Sequence, residues 1–257
     1  MFTWDAGQYV AFVNERTQPA VDLLSRIPPV RADKIADIGC GPGNSTNVLA
    51  SRFPQARVLG IDSSAEMIQA AKETYPRLEF RQYDAQQNLA VLGTDFDIVF
   101  SNACIQWVPD HPVLFRNMMN MLRPGGVLAV QTPMNYDEPI HKIITAAAAD
   151  SEWREKIPLK RIFYNLEPGE YADLLSDLTD TFSLWQTTYY HRMKSHVAIL
   201  EWYRGTGLRP YTSVLPEDDK KRFEAQIYDE IVRAYPVSKN GEVIFKFPRF
   251  FMLAEKR

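Results

Sequence analysis

The chain has 257 residues, 46% of them hydrophobic, and a formal net charge of −3. That is enough to bury one large core or two modest ones, and it gives no positive field to hold polyanionic DNA or RNA by counterion release. No stretch approaches the roughly 18 apolar residues that span a bilayer, and the opening MFTWDAGQYV has no basic start, apolar core or cleavage-like site, so a cytoplasmic protein with no membrane or nucleic-acid partner is expected.

In chain order, an N-terminal segment to about residue 30 carries a helical pattern, WDAGQYVAFVNERTQPAVDLL. Short apolar runs follow at 34 to 38 (KIADI), 57 to 61 (RVLGI), 78 to 82 (LEFRQ), 96 to 101 (FDIVFS) and 127 to 132 (VLAVQT), each bounded by turn formers as buried strands are. Helical patterns fill the gaps at 46 to 53, 65 to 75 and 112 to 123, the last closed by Pro124, Gly125 and Gly126. Strand and helix alternating at this spacing imply right-handed crossovers and a doubly wound, mostly parallel α/β sheet over residues 31 to 135.

After Thr132 the rhythm changes. Helical patterns at 139 to 150, YADLLSDL, 195 to 205 and 216 to 234 surround a strand-like run at 182 to 193. The chain closes on VIFKFPRFFMLAEK, whose Pro248 suits an edge or bulged strand better than a central one. Residues 136 to 257 are therefore expected to supply a helical cap over the strand ends and the last two strands of a seven-stranded sheet.

DIGCGPGN, at 37 to 44, packs Gly39, Gly41 and Gly43 directly behind the first strand. In a doubly wound sheet the first strand-to-helix turn passes closest to the ligand, and glycines let it turn sharply with no side chain in the way. Asn44, Ser45 and Thr46 are candidates to cap the next helix. Asp62 ends the second strand, nineteen positions after Gly43, where an acid can accept hydrogen bonds from both hydroxyls of a nucleotide ribose. NAD and S-adenosylmethionine both carry such a ribose. The glycines alternate, whereas the dinucleotide fingerprint has two residues before its third glycine, and the Gly-Lys-Ser/Thr of a P-loop is absent.

DIGCGPGN with Asp37, GIDSSAEMI with Asp62, Ser63 and Met67, YDAQ with Asp84, FDIVFSNACIQWV and LRPGGVLAV together resemble, in order and separation, the motifs of class I S-adenosylmethionine-dependent methyltransferases. The resemblance implies a Rossmann-like fold with the glycine turn and Asn44 under the methionine part. It implies Asp62 on the ribose, Asp84 and Ala85 at the adenine, and Asn102 and Trp107 beside the methyl group. Further stretches, NACIQWVPDH, WQTTYYHRMKSHVAILEWYRGTGLRPY and FPRFFMLA, are similar to the branch of that family that makes a monomethyl ester on a small tricarboxylate, trans-aconitate.

A carboxylate is already ionised at neutral pH, so its methylation needs no general base. Pinning the attacking oxygen with cations stabilises the ground state more than the charge-neutralising transition state, so alignment and exclusion of water carry the rate, with Trp107, Tyr190 and His191 as positioning candidates. The non-reacting carboxylates can be clamped hard. Arg209, Arg16, Tyr9, Tyr189, Tyr190 and His191 are the candidates, bidentate arginine being the natural fork.

Structural alternatives stand beside them. Arg209 can cover a helix end with its carbon stem, Arg16 can pair with a surface acid, His191 can be a satisfied core histidine, Trp107 can be core, and His111 reads as turn chemistry. Cys40 and Cys104 read as small core residues, and none of the four histidines has metal-ligand spacing to another, so no metal is expected. A methyltransferase for a carrier-bound acid or a hydroxyl, a nicotinamide oxidoreductase and an inactive nucleotide-binding module remain open at this point.

Overall fold

The computed structural model describes residues 13 to 158 and 163 to 257, with no side-chain description before Thr17. Helix α1 (Val13–Ser25) is followed by β1 (Lys34–Ile38), α2 (Asn44–Arg52), β2 (Arg57–Asp62), α3 (Ala65–Thr74), β3 (Glu79–Gln82) and β4 (Phe96–Asn102). Next come α4 (His111–Met121), β5 (Leu122–Pro133), α5 (Pro139–Ala149), α6 (Pro168–Ser176) and β6 (Phe182–Met193). Helices α7 (His196–Arg204), α8 (Arg209–Thr212) and α9 (Glu217–Ala234) precede β7 (Val243–Glu255).

The strands form one seven-stranded sheet in the order β3-β2-β1-β4-β5-β7-β6. The pairings from β3 through β5 are parallel, and β7 pairs antiparallel with β5. Central strands carry unbroken apolar runs because both faces are covered: Ile35, Ala36 and Ile38 in β1, Ile98, Val99 and Phe100 in β4, and Leu128, Ala129 and Val130 in β5 are at most 1% exposed. At the opposite end from the site, Asp97 accepts hydrogen bonds from the Asp33 and Lys34 backbone N–H groups and pairs with Arg123, tying the starts of β1, β4 and β5 together.

Two expectations are corrected. The helix before β5 stops at Met121, and the Pro124-Gly125-Gly126 stretch lies inside β5; Gly125 (φ 72°) supplies the positive backbone angle and its N–H bonds to the Lys256 carbonyl. The terminal strand is not an edge: β7 lies between β5 and β6. Pro248 is tolerated because the β5 register ends one residue away, at Pro133 with Arg249, so its missing N–H falls where pairing stops.

The described chain divides into two compact units. One comprises 14 to 133, 163 to 187 and 249 to 257 and contains the parallel strands; the other comprises residue 13, 134 to 158 and 188 to 248, and β6 and β7 each pass from one to the other. The second unit has its own core, in which Ile140 and Ile144 of α5, Ile199 and Trp202 of α7, Phe223, Ile227 and Ile231 of α9, and Phe245 are buried. Its helices present apolar residues at i, i+4 and i+8 along α9, the stripe expected of a one-sided packed helix.

Candidate functional site

The turn after β1 is held on both sides. The Gly39 and Cys40 N–H groups both donate to the Ile61 carbonyl at 2.8 Å, and the Gly41 N–H donates to Asp62 Oδ2 at 3.0 Å. Asp62 Oδ1 accepts the Ser64 N–H at 2.9 Å, so its carboxylate is fixed by two backbone donors while each oxygen keeps a further lone pair. Burial, partly offset by those N–H bonds, raises its pKa above the ordinary carboxylate value.

The three glycines are required for different reasons. A side chain at Gly39 would run into the Sγ and Cβ of Cys104, and one at Gly43 would meet Tyr75 and Phe80 at 2.8 and 2.9 Å. Gly41, at φ 54°, has nothing within 4 Å of that position. Its surroundings are open, and its left-handed backbone is the form only glycine adopts at little cost. A glycine cradle facing open space beside an anchored carboxylate suits a nucleotide lying across the strand ends.

Asp37 is fully buried, and its Oδ2 accepts the Ser45 hydroxyl at 2.6 Å and the Thr46 hydroxyl at 2.7 Å. Ser45 and Thr46 therefore bind the β1 carboxylate and do not cap α2, whose N-cap is Gly43 with no side-chain bond. Asn44 Oδ1 accepts the Tyr75 hydroxyl at 3.0 Å. Burial, opposed by the two hydroxyls and reinforced by the Asp62 charge, raises the Asp37 pKa from 3.8 to about 6.

At the third strand end, Asp84 is half-buried with Oδ1 accepting the Gln86 N–H at 2.9 Å, and Ala85 is buried. Ser63 is exposed and uses its carbonyl to accept from Gln82, whereas Met67 is buried at the start of α3. Asn102 ends β4 with Oδ1 buried and without a partner. Trp107 is half-buried and packs on Phe163 at 5.4 Å.

His111 is corrected from turn chemistry to core. It is 1% exposed, its Nε2 lies 2.9 Å from the Ile105 carbonyl and its Nδ1 2.8 Å from the Tyr171 hydroxyl, and burial lowers its pKa. Its ring pins the turn that carries Trp107. Cys40 is buried and Cys104 half-buried, and burial pushes both thiols well above their ordinary pKa. Among the described residues no group of three His, Cys, Asp or Glu is arranged to hold a metal, and no helix is long and apolar enough to cross a membrane.

Of the acceptor candidates, Tyr189, Tyr190, His191 and Arg209 fall in the other unit. Tyr9 lies outside the described residues, and the Arg16 side chain is not described. Tyr189 and His191 stack with parallel rings at 6.1 Å, but Tyr190, between them on β6, is 64% exposed, because alternate strand residues face opposite sides. Tyr190 is thus not part of a cluster with its neighbours. His191 also packs on Trp202 at 5.1 Å, an aromatic environment. Arg209 opens α8 and is half-buried. Sequence reasoning missed two polar groups: Asn135, Tyr203 and His141, joined through the Tyr203 hydroxyl at 3.2 and 3.0 Å, and Gln131, a lone amide in the apolar run VLAVQT.

A methyltransferase-domain family profile matches residues 35 to 126. Among solved structures, the YcgJ protein of Bacillus subtilis superposes with a TM-score of 0.60 at 16% identity, covering 93% of this chain and 99% of that one. Haemonchus contortus phosphoethanolamine N-methyltransferase 2, in complex with S-adenosyl-L-methionine, superposes at 0.53 with 18% identity, covering 93% and 53%. The fold, the glycine cradle and the acids at the ends of β2 and β3 define a class I methyltransferase with S-adenosylmethionine as methyl donor. Trans-aconitate 2-methyltransferases of Azoarcus sp. (strain BH72) and Rhodopseudomonas palustris (strain BisB18) are 44% and 43% identical to this chain, covering 99% and 100% of both sequences. The chain belongs to the trans-aconitate 2-methyltransferase family.

Two outcomes follow from this geometry. Asp62→Ala removes two charge-assisted acceptors and is expected to weaken S-adenosylhomocysteine binding by roughly 2 kcal/mol, read by calorimetry; unchanged affinity would remove Asp62 from the ribose. For Asp37, the unfolded chain releases the proton near 3.8 and the folded chain near 6. Its carboxyl therefore favours folding fully below 3.8, and that contribution is lost as pH rises to about 6, a change of about 3 kcal/mol. Urea melts across this window should show wild-type stability falling relative to Asp37→Asn as pH rises, and a constant difference would refute the buried titration.

Proposed function

We propose that the enzyme esterifies one carboxylate of trans-aconitate, giving a monomethyl ester and S-adenosylhomocysteine. The full-length identity to relatives of that name carries this reading. The cradle at Gly41, open where a nucleotide would lie, supports it. Asp37, Gly39, Gly41, Gly43, Asn44, Asp62, Ser63, Met67, Asp84, Ala85, Asn102 and Trp107 are the proposed donor-binding set. Two free cysteines are in keeping with a reducing, cytoplasmic setting.

When bound, the donor supplies an electrophilic methyl on sulfonium: a carboxylate oxygen gives an electron pair to that carbon, the carbon–sulfur pair stays on sulfur, and no proton moves. The protein therefore needs no base. Asp62 holds the ribose, the Gly39 to Gly43 backbone leaves room for the methionine part, and the strand-end side chains exclude water and align the reacting oxygen. Arg209, with Tyr189 and His191, is proposed to clamp the carboxylates that do not react, because a guanidinium binds a carboxylate in a planar fork.

A panel of di- and tricarboxylates with labelled methyl donor, products identified by mass spectrometry, tests the reading. Trans-aconitate is expected to give the monomethyl ester; label on no acid, or NADH bound in place of S-adenosylhomocysteine, would refute it. Arg209→Ala should raise the KM for the tricarboxylate tenfold or more, about 1.4 kcal/mol, while S-adenosylhomocysteine affinity stays within twofold. Arg209→Lys should rescue only part, since an ammonium lacks the fork. An unaltered KM would assign Arg209 to packing.

A further inference from the structure

Gln131 stands near the end of β5 with 0% exposure, and neither its Nε2 nor its Oε1 has a hydrogen-bond partner. Its register partner on β4 is Asn102, whose Oδ1 is also buried and unpartnered. Register partners on parallel strands project from the same face about 4.8 Å apart. Two amides thus present, side by side, one N–H2 donor group and two carbonyl oxygens that nothing among the described residues satisfies. Interiors rarely keep such groups, since an unpaired amide is costly and an apolar residue of the same shape is not.

The nearby polar residues show that the neighbourhood can satisfy an amide when it uses one. One position on, the Thr132 hydroxyl meets Gln106 Oε1 at 3.3 Å and Asn165 Oδ1 at 3.2 Å, and Gln106 Nε2 donates to the Ala103 carbonyl at 2.8 Å. Thr132 faces the other side of the sheet, because alternate strand residues point opposite ways. The amides of Asn102 and Gln131, on the opposite face, find no such partners among the described residues.

We infer that Gln131 is the residue that positions the acceptor carboxylate for methyl transfer, an inference that rests on the function proposed above. The unsatisfied set fits the transfer point: the Gln131 N–H2 can donate to a carboxylate oxygen, and the two amide oxygens answer the positive charge of a sulfonium. An anion alone would leave both oxygens orphaned, and a cation alone would leave the N–H2 orphaned. The order of strand ends agrees with this. Asp84 follows β3, Asp62 ends β2 and the glycine turn follows β1, so a donor laid across them reaches β4 next, and Gln131 stands one strand beyond Asn102. A neutral amide also suits the reacting carboxylate better than arginine, because it orients the oxygen without quenching the charge that must attack.

The test compares wild type, Gln131→Leu and Gln131→Glu by thermal melting, by calorimetry of S-adenosylhomocysteine, by calorimetry of trans-aconitate added to the S-adenosylhomocysteine complex, and by steady-state kinetics. Gln131→Leu should melt at the same temperature as wild type or higher and bind S-adenosylhomocysteine within threefold. Its trans-aconitate affinity should fall at least tenfold and its kcat/KM at least thirtyfold. Gln131→Glu, which sets a carboxylate against a carboxylate, should lose more of both. A leucine variant that melts lower while keeping the acid affinity and kcat/KM of the wild type would make Gln131 structural and overturn the inference, as would equal losses of donor and acid binding. Wild type that turns over no acid would instead overturn the proposed function, and the inference with it.

Discussion

The Asp37 carboxylate, fully buried at the end of β1, is the contact on which the glycine turn after that strand depends. By taking the Ser45 and Thr46 hydroxyls it fixes the first turn of α2 against the strand it left, across only eight or nine residues. With both ends held, the intervening loop must fold back within five residues, and positive φ at Gly39, Gly41 and Gly43 is how it does so. The loop then meets β2 through Ile61 and Asp62, so the Asp62 carboxylate and the glycine turn are tied to one another. A buried anion is a costly way to make a turn, and its raised pKa is the sign of that cost.

The two ends of the parallel sheet are built on opposite principles. At the starts of β1, β4 and β5, Asp97 and Arg123 satisfy one another and the backbone around them. At the finishing ends, Asp37 Oδ1, Asn102 Oδ1 and both polar atoms of Gln131 are buried without partners. Buried polar groups left without a partner at the finishing ends are what a sheet shows when a ligand is to complete its hydrogen bonding.

His111 shows how a chemically capable residue can be absorbed by structure. Both ring nitrogens are engaged, one by the Ile105 carbonyl and one by the Tyr171 hydroxyl, and burial disfavours its cation. It has no free nitrogen with which to act as a base. That agrees with a reaction whose nucleophile arrives ionised, and it leaves His111 to hold the Ile105–Trp107 turn in place.

The sequence by itself determined the central strands, because KIADI, FDIVFS and VLAVQT are too apolar to lie anywhere but between two helical layers. It also determined the turn after β1, since alternating glycines between an apolar run and a helical pattern fit a strand-turn-helix geometry. What it could not decide were contacts made across the fold. Pro248 in a penultimate strand depends on where the β5 register ends; Ser45 and Thr46 choose Asp37 over capping because β1 brings a buried carboxylate within reach. Tyr190 parts from Tyr189 and His191 because β6 alternates its faces, and Gln131 gains meaning only because β4 sets Asn102 beside it. Periodicity and spacing are properties of a few neighbouring residues, whereas a hydrogen-bond partner, or the lack of one, is settled by which distant strands lie side by side.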